Sequence, residues 1–98
     1  MRINSISRAE FIRRLLLHND LERFIGGEVE WFANQTGTIL GTIALGDASR
    51  GWNYVIFKRN RTGKFHVCTV VCDFYSRAAA RVDFMFAAAS AGHFACSG

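Results

Sequence analysis

Apolar residues alternate with polar ones along the middle of the chain in the manner of β-strands. In residues 28–34, Val29, Trp31 and Ala33 would face one side and Glu30 and Phe32 the other. Later runs are rich in aromatic and β-branched residues, which are typical of strands. The pattern predicts strands over about residues 28–34, 38–45, 52–59 and 64–72.

The same four-residue motif, Asn-x-Thr-Gly, separates the strands of both predicted pairs. It occupies residues 34–37 and again residues 60–63. Asn at the first position and Gly at the fourth are typical of a type I turn, in which Gly adopts the left-handed conformation that a hairpin bulge requires. The motif therefore predicts two hairpins that form an antiparallel meander.

Helical spacing appears at both ends of the chain. Ser7 and Glu10 form a capping-box pattern, with Ile6 and Phe11 placed for a hydrophobic staple, so a helix is predicted over about residues 7–18. A short helical turn at 20–25 follows and ends at Gly26-Gly27. Ser76 is a suitable N-cap for a second helix over about residues 77–91.

These elements predict a single compact domain, residues 1–98, of the α+β class. Its four-stranded antiparallel meander would have one helix before it and one after it, in the order α-β-β-β-β-α. The third and fourth strands carry apolar residues on both faces, so each face needs a cover: the two helices, or one helix and a partner chain. Gly41, inside the second strand, predicts a bulge or a place of close packing.

The last helix has two apolar sides, which a helix in a small monomer rarely needs. We predict that one side, Ala78, Val82, Met85, Phe86 and Ala89, packs on the sheet. The opposite side would be a protein interface centred on Phe84, with Ala80, Ala87 and Ala91. This predicts a non-enzymatic interaction protein that self-associates or docks on a larger protein; a monomer whose two helices cover the sheet is the competing interpretation.

Basic residues cluster around the second hairpin, in a chain of formal net charge +4. Between Asp47 and Asp73 there is no acidic residue. Aromatic residues also lie nearby, and they could stack on unpaired bases. The alternative function is therefore a single-stranded nucleic-acid-binding module that uses the hairpin tip, although basic turns also serve simply as solvated edges. The basic residues concerned are Arg50, Lys58, Arg59, Arg61 and Lys64, and the aromatic ones are Trp52, Tyr54, Phe57 and Phe65.

Candidate catalytic and metal-binding groups are few. His66 and Cys68 would share a strand face, but Cys68 and Cys72 would lie about 13 Å apart along an ideal strand, too far for one metal ion or a disulfide. The carboxylates of Glu28 and Glu30 are expected to be solvated. We therefore predict no enzyme activity, no metal and no cofactor.

The chain has three cysteines, an odd number, and they are expected to be reduced thiols. No secretory signal or membrane span is recognisable, because the apolar run that ends at Leu17 is closed by His18-Asn19-Asp20. The expected location is the cytoplasm, without a membrane partner.

Overall fold

A computed structural model describes residues 2–16, 28–46 and 51–91, which form five strands and two helices. The α+β class and the antiparallel sheet flanked by two helices are confirmed, but the expected number of four strands is wrong. In chain order the elements are β1 (Ile3–Ile6), α1 (Arg8–Leu16), β2 (Glu28–Asn34), β3 (Ile39–Leu45), β4 (Trp52–Arg59), β5 (Phe65–Phe74) and α2 (Arg77–Ala91).

The sheet is a meander in which every strand is antiparallel to its neighbours, in the order β1-β2-β3-β4-β5. The unexpected strand, β1, pairs with β2 so that Ile3 lies opposite Asn34 and Ile6 opposite Trp31. Its sequence, Ile-Asn-Ser-Ile, has no alternation between apolar and polar residues. Pairing with β2, rather than its own pattern, makes this short segment a strand.

The two helices cover opposite faces of the sheet. On one face, Phe11 and Leu15 of α1 pack against a cluster that contains Leu40, Phe57 and Phe65. The other face carries α2 and a second cluster, with members Phe32, Ile39, Ile43, Tyr54, Ile56, Cys68, Ala80, Phe84, Ala88 and Ala91. Both apolar faces of the central strands are thus covered within one chain.

The side of α2 that packs on the sheet is the reverse of the prediction. Ala80, Phe84 and Ala91 are buried, whereas Val82 is 61% exposed and Phe86 is 75% exposed. Ala80 and Ala88 let the helix approach the sheet closely, and the Phe84 ring lies directly over Gly41, where a Cβ atom would be 2.5 Å from Cζ of Phe84. Gly41 therefore marks the close packing that the sequence predicted.

Polar contacts hold α2 to the sheet. Nε of Arg77 donates to Glu30 Oε2 at 2.7 Å, and Arg81 lies 3.7 Å from the same carboxylate. The hydroxyl of Tyr54 donates to Asp83 Oδ2 at 2.6 Å. Burial, and then this hydrogen bond, raise the pKa of Tyr54 well above its ordinary value, so Tyr54 stays a neutral donor. Glu30 is buried and paired, contrary to the expectation of a solvated carboxylate.

Both Asn-x-Thr-Gly motifs form the expected turns. Gly37 has a φ of 73° and Gly63 a φ of 88°, and the amide of each Gly donates to the carbonyl of the first Asn of its motif. In the second turn, the Asn60 side chain accepts from the Thr62 and Lys64 amides. The turns are therefore held by their own backbone and by their Asn and Thr side chains.

The start of α1 agrees with the prediction, because the Glu10 amide donates to the Ser7 hydroxyl at 3.1 Å. The predicted helical turn at 20–25 and the end of the first helix at 17–18 lie outside the described residues. Of the helices that the structure describes, none is long and apolar enough to span a membrane.

Candidate functional site

Cations from three separate segments meet at the end of the sheet that carries both Asn-x-Thr-Gly turns. The antiparallel meander brings the turns together, since Thr38 accepts from the Arg59 amide. β1 begins at this end, where Ile3 lies opposite Asn34. The helix α1, which comes after β1 in the chain, runs in the reverse direction and brings Arg13 and Arg14 back to the same end. We call this region the basic end; it comprises Arg2, Arg13, Arg14, Lys58, Arg59, Arg61 and Lys64.

One cleft of the basic end lies between α1, the first turn and the adjoining ends of β4 and β5, and we call it the α1 cleft. Its volume is about 320 Å³. Arg13 and Arg14 come from α1, and Arg59 comes from the end of β4. The remaining lining residues are Gln35, Thr36, Gly37 and Phe65. The charged side chains among the described lining residues are thus all arginines.

A second cleft, of about 240 Å³, lies on the other side of the β2–β3 turn. Arg2 and Lys58 supply its charge, and Ile39 places it on the α2 side of the sheet. Gln35 and Thr36 line both clefts. The basic surface therefore continues around the turn from one face of the sheet to the other.

Glu10 orients the two arginines of α1. Its Oε1 accepts from Arg13 Nη2 at 2.6 Å and from Arg14 Nε at 2.7 Å, and its Oε2 accepts from Arg13 Nε at 3.0 Å. The hydrogen bonds from Arg13, followed by that from Arg14, lower the pKa of Glu10 below its ordinary value. The carboxylate therefore stays ionised at neutral pH and keeps both guanidinium groups in place.

The other described carboxylates lie away from the basic end. Glu30 and Asp83 bind α2 to the sheet, and Asp73 lies near the opposite end of β5. The Arg59 guanidinium forms no hydrogen bond or ion pair with the residues that the structure describes. Of the cations at the basic end, Arg13 and Arg14 share the single carboxylate of Glu10.

Four of the five basic residues predicted for the alternative function lie in this region: Lys58, Arg59, Arg61 and Lys64. Arg50 lies outside the described residues. The sequence prediction missed Arg2, Arg13 and Arg14, which come from other segments. The length of α1 could have indicated the position of Arg13 and Arg14. A helix of nine residues is about as long as a four-residue strand, so a helix that follows β1 and runs back along the sheet ends near the start of β1.

Three of the four aromatic residues near the basic hairpin are buried and cannot stack on bases. Tyr54 is 1% exposed, Phe57 is 0% exposed and Phe65 is 2% exposed, so their rings belong to the core. Trp52 begins β4 and lies at the end of the strand opposite Arg59. A ligand at the basic end would consequently meet guanidinium, ammonium, amide and hydroxyl groups rather than these rings.

Cys68 is disulfide-bonded and Cys72 is a free thiol. The expectation of reduced thiols is therefore wrong for Cys68. Within residues 2–16, 28–46 and 51–91, no three His, Cys, Asp or Glu side chains are grouped as metal ligands.

The outward side of α2 is the second unusual surface. Val82 and Phe86 are one helical turn apart and are largely exposed, with the smaller Ala78 and Ala89 on the same side. These four residues, which were predicted to pack on the sheet, thus form the side of α2 that faces the solvent. Ala80, Phe84 and Ala91 of the predicted interface are buried, and Ala87 is half-buried.

The chain was compared with protein-family models, with curated proteins and with solved structures. No family model, no curated protein and no solved structure matches it. The basic end and the outward side of α2 are therefore the features of this protein from which a function can be inferred.

Proposed function

We propose that the protein is a non-enzymatic binding domain that holds the phosphate backbone of a nucleic acid at its basic end. The observation that carries this proposal is the convergence of cations from Arg2 just before β1, from α1 and from the second hairpin around two adjoining clefts. Phosphate oxygens pair with Arg and Lys, and neutralising several phosphates releases condensed counterions, which favours binding.

The burial of the neighbouring aromatic rings defines the kind of recognition. Without stacking by Tyr54, Phe57 or Phe65, contacts at the basic end are made to phosphates and sugars rather than to base faces. Such contacts position a strand but carry little sequence information. The proposed binding is therefore nearly independent of sequence and strongly dependent on salt.

The proposal predicts that removing three cations of the second hairpin weakens binding. We expect Arg59→Ala/Arg61→Ala/Lys64→Ala to bind a labelled single strand at least about tenfold more weakly than the native protein at low salt. Fluorescence anisotropy measures the affinity, and a duplex of the same sequence shows whether the strand must be unpaired.

Arg8 supplies the charge-matched control for a single substitution. It is exposed at the start of α1, six residues before Arg14. Arg59→Ala and Arg8→Ala remove the same charge, so only Arg59→Ala should weaken binding appreciably. Equal losses for the two variants would show that net charge, not the basic end, governs the interaction.

Self-association through α2 is a second candidate function, favoured by the exposure of Val82 and Phe86. In an antiparallel pair of α2 helices related by a two-fold axis, Phe86 of each copy would pack against Val82 of the other. Ala78 and Ala89 are small enough to let the two helices approach. The predicted interface thus moves from the Phe84 side of the helix to its outward side.

This second candidate predicts a dimer that Val82→Ser/Phe86→Ser converts to a monomer without loss of fold. Analytical ultracentrifugation over a wide range of concentrations measures the mass, and circular dichroism checks the fold. Tyr75→Ser is the control, because Tyr75 is 92% exposed but precedes the helix. A native protein that is monomeric at every concentration would exclude self-association.

A further inference from the structure

The α1 cleft is distinguished within the basic end by cations that are already fixed. Glu10 holds one edge of each α1 guanidinium, and the Arg14 side chain is only 35% exposed. Nη1 of Arg14 lies beside Gly37, where an added Cβ would be 3.4 Å away. A ligand that binds there has less side-chain freedom to remove at Arg14 than at an arginine without such contacts, which lowers the entropic cost of binding.

The free donors of the cleft are directed away from Glu10. Arg14 bonds Glu10 through Nε, so its Nη1 and Nη2 have no hydrogen-bond partner among the described residues. Arg13 uses Nε and Nη2, which leaves Nη1. The Arg59 guanidinium, which has no side-chain partner among the residues that the structure describes, adds further donors to the lining of the cleft. Several N–H donors on one concave surface suit a group with several acceptor oxygens.

The charge of the cleft indicates which phosphate fits best. Arg13, Arg14 and Arg59 contribute three positive charges, and Glu10 contributes one negative charge, so the local balance is +2. A phosphate monoester carries about −1.5 to −2 at pH 7 and offers three terminal oxygens. A phosphodiester within a strand carries only one negative charge. The monoester therefore complements the cleft more completely.

We infer that the α1 cleft binds the terminal phosphate of a nucleic-acid strand, with Arg14 as its main ligand and Glu10 as a positioning residue. This inference rests on the proposed function, since the rest of the strand would lie along the remaining basic end. The cleft volume of about 320 Å³ is in the range of small-ligand sites and accommodates a phosphate with part of its nucleotide.

The test compares strands of one sequence that carry a phosphate at the 5′ end, at the 3′ end or at neither end. We expect the native protein to prefer one of the phosphorylated strands about tenfold over the unphosphorylated one. An unphosphorylated strand that is one nucleotide longer controls for added charge. If the native protein binds none of the strands appreciably, both the proposed function and this inference are overturned. If it binds all of them tightly but without a preference for a terminal phosphate, the inference alone is overturned.

Arg14→Lys and Glu10→Gln separate a positioned site from general attraction. Arg14→Lys keeps the charge but loses the planar fork, so the preference should fall while the affinity for the unphosphorylated strand stays constant. Glu10→Gln removes a negative charge, so every strand should bind more tightly. The preference for a terminal phosphate should nevertheless fall, because Arg13 and Arg14 lose the carboxylate that positions them. If both variants keep the native preference, the α1 cleft is not the terminal-phosphate site.

Discussion

Replacing Phe84 with Ala is expected to lower the free energy of unfolding by about 3–5 kcal/mol. The Phe84 ring is fully buried between α2 and the sheet. Its centroid lies 4.8 Å from that of Phe32 and 5.7 Å from that of Tyr54. Truncation would leave a cavity bounded by the rings of Phe32 and Tyr54. The hydrogen bond from Tyr54 to Asp83 and the pairing of the strands hold these rings in place, so the cavity cannot easily collapse. In a domain with a total stability of about 5–15 kcal/mol, this loss is large.

Phe86→Ala is the matched control, because it makes the same substitution two residues later in the same helix. Phe86 is 75% exposed, so at concentrations at which the protein is monomeric its truncation should change stability by no more than about 0.5 kcal/mol. Urea unfolding followed by circular dichroism measures both variants. If Phe86→Ala were the more destabilising of the two, α2 would pack on the sheet through Phe86 rather than through Phe84.

The second large effect is expected at Gly41. A Cβ atom there would overlap the Phe84 ring. Overpacking of this kind costs about 1–3 kcal/mol, which exceeds the gain of about 0.4–1 kcal/mol from restricting the unfolded chain when Gly is replaced by Ala. We therefore expect Gly41→Ala to destabilise the protein, as measured by thermal or urea unfolding.

A double-mutant cycle identifies the cause of this effect. In Phe84→Ala protein the ring is absent, so adding Gly41→Ala should cost little or even stabilise the fold. Gly63→Ala is the control: its φ of 88° strains any other residue, but no atom lies within 4 Å of an added Cβ. Its cost should therefore be the same with and without Phe84. Additive effects of Gly41→Ala and Phe84→Ala would contradict the packing of Phe84 on Gly41.

Local sequence determines the hairpins and the helix starts, which is why these features were predictable. Asn34 and Asn60 bond to backbone or side-chain groups within five residues, and each Gly provides the positive φ of its own turn. Ser7 likewise caps the residue three positions later. No distant part of the chain is needed for any of these contacts. β1 was missed for the opposite reason, because its strand conformation depends on β2.

Periodicity shows which residues share a helix side, but it does not show which side meets the sheet. The bulk of Val82, Met85 and Phe86 favoured the wrong side of α2. The structure favours the side with small residues, since Ala80 and Ala88 allow close approach and Gly41 receives the ring of Phe84. Gly41 was recognised as a place of close packing, yet its partner is 43 residues away and cannot be read from local pattern.

The sequence predicted only the part of the basic end that belongs to the second hairpin. Lys58, Arg59, Arg61 and Lys64 are neighbours in sequence, so their clustering is visible without a structure. Arg13 and Arg14 join them because α1 packs on the sheet through Phe11 and Leu15, which face the core from the same helix. Tertiary packing thus enlarges a basic turn into a surface with two clefts.

The salt dependence of nucleic-acid binding tests the proposed function most directly. For a single strand, the slope of log affinity against log salt becomes shallower by about 0.7 for each phosphate that the protein no longer neutralises. Arg59→Ala/Arg61→Ala/Lys64→Ala should therefore reduce the steepness of the native slope by about 2, whereas Arg8→Ala should leave the slope unchanged. A triple variant with the native slope, or a native protein whose binding does not depend on salt, would contradict phosphate binding at the basic end.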